Sequence, residues 1–319
     1  MKAALLFLIV FWSANLFGQN VYIPDANFKA SLVGYPLINT NGDTEIQVSE
    51  ASAFDGTIYC PSENISDMTG IEAFTVLTQL FCFDNQLTSL DLSQNTALDY
   101  LDCASNQLTN LDLSQNTVLS QLFCYDNQLT SLDLSQNTAL GYLDCASNQL
   151  TNLDLSQNTV LTQLLCFDNQ LTSLDLSDNT SLMILACSYN QITSLNLSQN
   201  FSLKGVTCSN NQLTCLNVAN GNNTNFYSNS FFSGSNPNLT CIQVDNAAWS
   251  TSNWTNIAPQ QYFSEDCGND CTTSLTELST FKNLIQILDM MGSETSFKPN
   301  TPLIYVYDDG STEKVFKIE

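Results

Sequence analysis

The sequence predicts a β-rich solenoid built from 21-residue coils with little convex helix, and three observations carry that prediction. Cysteine recurs every 21 residues, at Cys82, Cys103, Cys124, Cys145, Cys166, Cys187 and Cys208. Each of these sits in the same frame, so that LTQLFCFDNQLTSLDLSQNTA (77–97) returns as LDYLDCASNQLTNLDLSQNTV (98–118), and the register holds until it breaks after Asn217. The segments between the apolar positions are rich in Ser, Thr, Asn and Asp, which favour turns and extended chain over helix.

Within one coil the short apolar run reads as a strand. Neighbouring side chains then point to opposite faces, which places Leu80 and Cys82 inward and Gln79, Phe81 and Phe83 outward. Burying Leu77, Leu80, Cys82, Leu87, Leu90 and Leu92 in a lone coil falls well short of the backbone entropy lost in ordering it. The coils must therefore stack and share their burial. Asn85, Asn106, Asn127, Asn148, Asn169, Asn190 and Asn211 form one column whose amides are placed to satisfy backbone groups of adjacent coils, and Asn95, Asn116, Asn137, Asn158, Asn179 and Asn200 form a second. The frame resembles the leucine-rich repeat family, in its short bacterial form with Cys in place of the third Leu of LxxLxLxxN, over roughly residues 53–245. That resemblance implies a leucine-rich-repeat solenoid.

Five segments are expected along the chain. Met1-Lys2 followed by an apolar run from Ala3 to Trp12 reads as a signal peptide over residues 1–18, too short to span a bilayer, with cleavage after Gly18 and no following Cys to carry a lipid. Residues 19–76 are expected to cap the solenoid, with a short helix over 27–33 behind Asp25 and a first coil at 58–60, where Cys60 precedes Cys82 by 22 positions. The cap also contains Asn39, Asn41, Asp43 and Glu45, with Glu50 at the twelfth position counted from Asn39. This spacing resembles an EF-hand calcium loop, although Thr44 stands where the turn-forming Gly belongs. The competing reading is a polar turn. Calcium is the one cofactor this sequence suggests.

Residues 77–245 then form the solenoid, 246–271 its C-terminal cap and 272–319 a separate tail. The ladder cysteines project in parallel from coils about 4.8 Å apart and read as small buried core residues rather than disulfides or metal ligands. Cys241 and Cys267 read as a disulfide closing the cap, with the partners of Cys215 and Cys271 left open. The tail shows two alternating strands, Pro302 to Tyr307 and Lys314 to Ile318, around the Asp308-Asp309-Gly310 turn. With Leu-Asp-Met-Met-Gly at 288–292 it resembles the C-terminal half of the type A sorting domain of the Bacteroidetes type IX secretion system. Ser293 replaces that family's usual Arg, and its upstream Tyr-Pro-Asn-Pro strand is missing. The resemblance implies the type IX secretion machinery as a partner and a secreted or outer-membrane surface location. The alternative is a plain β-hairpin cap.

Composition narrows the function. The net charge is −24, with no His and seven Lys+Arg, all of them Lys, so the chain is a poor partner for nucleic acid or anionic membranes. Asp91, Asp112, Asp133, Asp154 and Asp175 form a like-charged row that adjacent hydroxyl residues could offset and divalent cations screen. Ligand binding is expected on the outward rows, at Phe81, Phe83, Tyr100, Asp102, Phe123, Tyr125, Tyr142, Asp144 and Phe167, where aromatics and Asp alternate with a 42-residue superperiod. A protein or polysaccharide ligand suits such a face. A cross-coil aromatic ladder that only stabilises the sheet is the other reading, and with it a structural surface or adhesion role. An enzyme is not expected, because the chain has no His and no Ser, Lys or paired-acid arrangement stands apart from the repeat.

Overall fold

The computed structural model describes residues 18–268, 271, 284–288, 295, 303–307 and 312–315. The signal-peptide reading of residues 1–18 falls almost wholly outside them. The chain divides into two units, Met1–Thr273 and Ser274–Glu319.

The first unit opens with α1 (Ala26–Val33). Asp25 caps it, one carboxylate oxygen accepting from the Asn27 and Phe28 amides and the other from the amide and hydroxyl of Ser66. The cap residue thus fastens the helix to the first coil, while Phe28 and Leu32 point into the core. A second helix, α2 (Val48–Ala53), was not foreseen; its signal is Glu50, whose carboxylate accepts from the backbone amide of Gln47 at the helix start.

The coils supply strands of two or three residues: β1 (Thr57–Tyr59), β2 (Gln79–Phe81), β3 (Tyr100–Asp102), β4 (Gln121–Phe123), β5 (Tyr142–Asp144), β6 (Gln163–Leu165), β7 (Ile184–Ala186), β8 (Ser194–Asn196), β9 (Gly205–Thr207), β10 (Cys215–Asn217), β11 (Phe231–Phe232), β12 (Cys241–Gln243) and β13 (Tyr262–Ser264). A nine-stranded parallel sheet runs β1-β2-β3-β4-β5-β6-β7-β9-β11, and β13-β12-β10-β8 form a second, four-stranded one. Register is constant through the repeats: Leu80 pairs with Leu101, Leu101 with Leu122, and Leu122 with Leu143. Between Ala73 and Asn223 the described residues contain no helix of any kind. This is the architecture of a leucine-rich-repeat β-solenoid.

Leu77, Leu80, Cys82, Leu87 and Leu92 have no exposed surface, and their counterparts in later coils are buried likewise. The Asn columns do the polar work inside this core. Nδ2 of Asn106 donates to the carbonyls of Cys82, Cys103 and Ala104, while its Oδ1 accepts from the amide of Leu87. One side chain therefore ties its own turn to the coil before it. In the second column Asn116 donates to the carbonyls of Leu92 and Asn95, but its Oδ1, like those of Asn95, Asn137, Asn158, Asn179 and Asn200, is buried without a partner. The turn before each first-column Asn needs a left-handed residue. Asp84, Ser105, Asp126, Ser147, Asp168, Tyr189 and Asn210 all adopt φ between 51° and 57° there.

The eight ladder thiols, Cys60 included, are buried and unlinked. Burial disfavours the thiolate at every position and pushes Cys60 and Cys208 up to about 12. The register break after Asn217 is a lengthened coil rather than the end of the ladder. Val206 pairs with Phe231, 25 positions on, and Asn236 takes up the column by donating to the Cys208 carbonyl and accepting from the Leu213 amide. Beyond it, Trp254 stacks on Phe231 at 4.3 Å and contacts Phe226 and Phe263, closing the end of the core beside α3 (Ala247–Asn253). Two disulfides, Cys241–Cys267 and Cys215–Cys271, fix this cap to the second sheet.

The second unit contains an antiparallel sheet, β14 (Leu284–Leu288), β15 (Leu303–Tyr307) and β16 (Thr312–Val315), in that order. The strand expected at Lys314 to Ile318 begins earlier, at Thr312, because its register pairs Thr312 with Val306 across the turn. β14 was missed, since its LIQIL run reads equally well as either type of element. The Asp-Met-Met-Gly part of the sorting-domain motif lies outside the described residues.

Replacing Asn127 by Ala removes donors to the Cys103, Cys124 and Tyr125 carbonyls and the acceptor for the Leu108 amide. The expected cost is about 3 kcal/mol, or a melting temperature roughly 8 °C lower. Replacing the exposed neighbour Gln128 by Ala should change stability by less than about 0.5 kcal/mol, and thermal unfolding of the two variants checks both.

Candidate ligand-binding face

The constant register of the nine-stranded sheet lines up three outward rows. The first runs Gln79, Tyr100, Gln121, Tyr142 and Gln163; the second runs Phe81, Asp102, Phe123, Asp144 and Leu165. The third lies just beyond the strands, at Phe83, Ala104, Tyr125, Ala146 and Phe167.

The nine residues expected to bind ligand fall into three physical groups. Phe81, Tyr100, Phe123 and Tyr142 stack on one another in a zigzag between the first two rows, with centroids 4.6, 5.3 and 4.6 Å apart and planes within 29° of parallel. Their faces are turned to each other, so what they offer outward is ring edges. Tyr59 extends the stack, 5.5 Å from Phe81, and is exposed; the sequence reading overlooked it although it occupies the Phe81 position of the first coil. Phe83, Tyr125 and Phe167 form the second group. They stand two coils apart, separated by Ala104 and Ala146, both of which are buried.

Asp102 and Asp144 form the third group. Asp102 lies in register between Phe81 and Phe123, and Asp144 between Phe123 and Leu165. Only 9% of Asp144 is exposed, and Asp102 is half-buried. Each Oδ1 accepts one hydrogen bond, at 3.2 Å, from the amide two residues on, Ala104 or Ala146. The ion pair found among the described residues is remote from both, joining Lys29 to Glu45. Burial therefore pushes both carboxyls above the ordinary carboxylate range, with the single backbone hydrogen bond working against it. The hydroxyls of Tyr100, Tyr125 and Tyr142 are raised as well, by burial first and then by these carboxylates.

The Asp row at the other edge of the coil has different chemistry. Asp91, Asp112, Asp133, Asp154 and Asp175 are exposed, and each accepts from the amide of the Ser two residues on at 2.9–3.0 Å. Those hydrogen bonds hold Asp91, Asp112, Asp133 and Asp154 below the ordinary carboxylate range. The turns use these acids as local acceptors.

In the cap, the loop expected to resemble a calcium site is closed by its own hydrogen bonds. Asn39 is buried, donating to the carbonyls of Val33 and Asp43 and accepting from Gly42; Asn41 accepts from Asp43, and Asp43 from Glu45. Glu50 accepts from Thr40, Asn41 and Gln47, which outweighs its partial burial and lowers its carboxyl, while Glu45 turns to Lys29. Asn41, Asp43, Glu45 and Glu50 line one cleft. No three acidic, His or Cys side chains converge as a metal site among the described residues. Nor does any described helix have the length and apolarity to cross a membrane.

The fold and this face together define a leucine-rich-repeat solenoid with a cysteine ladder. No family model matches the chain. It is similar to internalin J of Listeria monocytogenes serotype 4b, with 40% identity over 78 residues, 24% of this chain and 8% of that protein. It is also similar to the solved functional domain of InlJ from Listeria monocytogenes, described as including a cysteine ladder: 37% identity, 72% of this chain, 58% of that one, TM-score 0.54. Internalin C2 from the same species shares the fold at 21% identity, with 69% and 93% of the two chains covered and a TM-score of 0.56. The chain thus spans 8% of internalin J and 58% of the solved InlJ domain, less than two thirds of either. Its fold is a leucine-rich-repeat solenoid with coils of about 21 residues, similar to those of the Listeria internalins.

Because the folded-state carboxyl of Asp144 is raised, its ionised form destabilises the fold at neutral pH, and that penalty fades as pH falls through the raised value. Asp144→Asn should therefore raise the melting temperature at pH 7 by about 3 °C, and the gain should vanish below the ordinary carboxylate range. Melting curves of wild type and variant from pH 3 to 7 check the sign.

Proposed function

We propose that this protein is a secreted or cell-surface recognition module that binds a protein or polysaccharide through the aromatic and acidic face of its nine-stranded sheet. The observation that carries the reading is a pair of acids set among rings on an otherwise outward-facing row, Asp144 buried and Asp102 half-buried, with no cation paired to either among the described residues. Keeping an unpaired carboxylate there costs stability, which a purely structural sheet would avoid with Leu or Thr. Likeness to the internalins supports a binding role. The acids at the other edge act as turn acceptors and the ladder thiols are buried, so neither set is arranged as a nucleophile with a base.

One observation favours the structural alternative. The zigzag of Phe81, Tyr100, Phe123 and Tyr142 spends its ring faces internally, as a sheet-stabilising ladder would. The two readings separate by variant. Changing Phe83, Tyr125 and Phe167 to Ala should abolish binding to glycan arrays or surface-protein extracts while leaving the melting temperature within a few degrees. Changing Tyr100 and Phe123 to Ala should lower it by roughly 5 °C or more. Equal behaviour of wild type and the first variant, with self-association retained, would establish the structural role.

The tail fits this reading as an export address for type IX secretion. Its support is the unit Ser274–Glu319, whose described residues include a three-stranded antiparallel sheet with the strand Leu303–Tyr307 at its centre. In a Bacteroidetes host that carries this machinery, a chain cut after Thr273 should be retained in the periplasm while the whole chain reaches the medium or the cell surface. Fractionation with an antibody to the solenoid reads the outcome.

A further inference from the structure

We propose that Asp102 and Asp144 are two equivalent seats for basic side chains, Lys or Arg, presented by an extended segment of a protein partner. The inference rests on the reading that this sheet face binds a ligand, and names its chemistry.

The two sites are built alike. Each Asp occupies the third strand position, carries a buried Ala two residues on, and has aromatic neighbours in the next coils: Phe81 and Phe123 beside Asp102, Phe123 beside Asp144. Tyr125 is flanked by both carboxylates. Each carboxylate accepts one hydrogen bond at Oδ1 and none at Oδ2 from the described residues. Asp144 is nine-tenths buried and Asp102 half-buried, and a withdrawn carboxylate with a spare oxygen and no cation paired to it among the described residues is an unfilled half of an ion pair. The rings beside it lower the local dielectric and strengthen whatever charge completes it. A guanidinium also matches the acid itself, since its planar N–H fork meets a carboxylate.

Other occupants fit less well. The two acids are separated by two strand spacings, about 9.6 Å, too far to share one metal ion, and no third acid converges with either among the described residues. Polyanions are repelled by a chain of net charge −24. Neutral sugars stack on ring faces, and the faces of Phe81, Tyr100, Phe123 and Tyr142 are already taken by one another.

The spacing also selects a conformation. A polyproline-II segment rises about 3.1 Å per residue with three residues per turn, so residues i and i+3 share a face about 9.3 Å apart. That is nearly the separation of the two seats. A partner with basic residues three apart in extended, Pro-rich chain would place one cation in each.

The test uses the full chain and a fluorescent peptide, Pro-Arg-Pro-Pro-Arg-Pro, at about 0.15 M salt, where loose surface attraction is largely screened. Anisotropy titrations compare wild type with the pair D102N/D144N and with the charge-matched pair D112N/D133N from the opposite edge. The expected result is affinity at least about tenfold weaker in D102N/D144N and changed less than about twofold in D112N/D133N, with a citrulline peptide failing to bind. Peptides carrying one Arg, or two in adjacent positions, should bind more weakly than the i, i+3 peptide. An equal loss in both Asn pairs, or equal binding of the citrulline peptide, would overturn the proposal.

D102N/D144N should melt no lower than wild type and the exposed pair D112N/D133N only slightly lower, and melting curves of both keep unfolding from imitating a result. The broader reading is tested in the same series with the ligand captured on glycan or surface-extract arrays. If D102N/D144N keeps array binding that the Phe83, Tyr125 and Phe167 to Ala variant loses, the basic partner is wrong and the recognition face stands. If all the proteins bind the arrays alike, both readings fall.

Discussion

The buried Asn at the end of each short strand is the interaction on which the rest of the molecule depends. Three-residue strands cannot satisfy the turns that follow them, and no helix is present on the repeats to do so. Asn85, Asn106, Asn127 and their successors close that gap by donating to carbonyls of two coils and accepting from an amide of the preceding one. Because each amide spans a pair of coils, it holds the strands in constant register. A slip would leave several buried backbone groups without partners at once. Constant register is in turn what aligns the outward rows into a face.

That face is a compromise between stability and exposure. The stacked rings add favourable contact along the sheet and brace strands too short to be stable alone. Asp102 and Asp144, set between them, work the other way. The acids at the opposite edge show what the fold does with a carboxylate when stability alone matters: it leaves Asp91 or Asp112 in water and gives it a backbone amide. Two acids of the same chain thus have opposite electrostatic fates, decided by which side of the coil they occupy.

Much of this was legible in the residues. The 21-residue period, the inward Leu and Cys, both Asn columns and the lack of helix on the repeats all follow from spacing, since a strand allows only two faces and a buried amide must find partners. Other features left weaker traces. The left-handed residue before each first-column Asn alternates between Asp and Ser and then becomes Tyr189 and Asn210, a pattern that hides the shared φ. The lengthened coil at Val206 to Phe231 looked like the end of the register because an insertion shifts sequence period without interrupting spatial stacking.

The sequence by itself determined that this chain is a solenoid, which side chains form its core, and that its outward rows carry rings and acids in a two-coil alternation. Only the tertiary structure decided what those rows do to each other. Ring stacking is a contact between residues 19 to 23 positions apart, and burial of Asp144 depends on neighbours supplied by the coils on either side. Spacing can assign a residue to a face. How deeply it sinks, whether its ring is spent on a neighbour and whether its charge finds a partner are set by packing between coils, which a one-dimensional pattern does not contain.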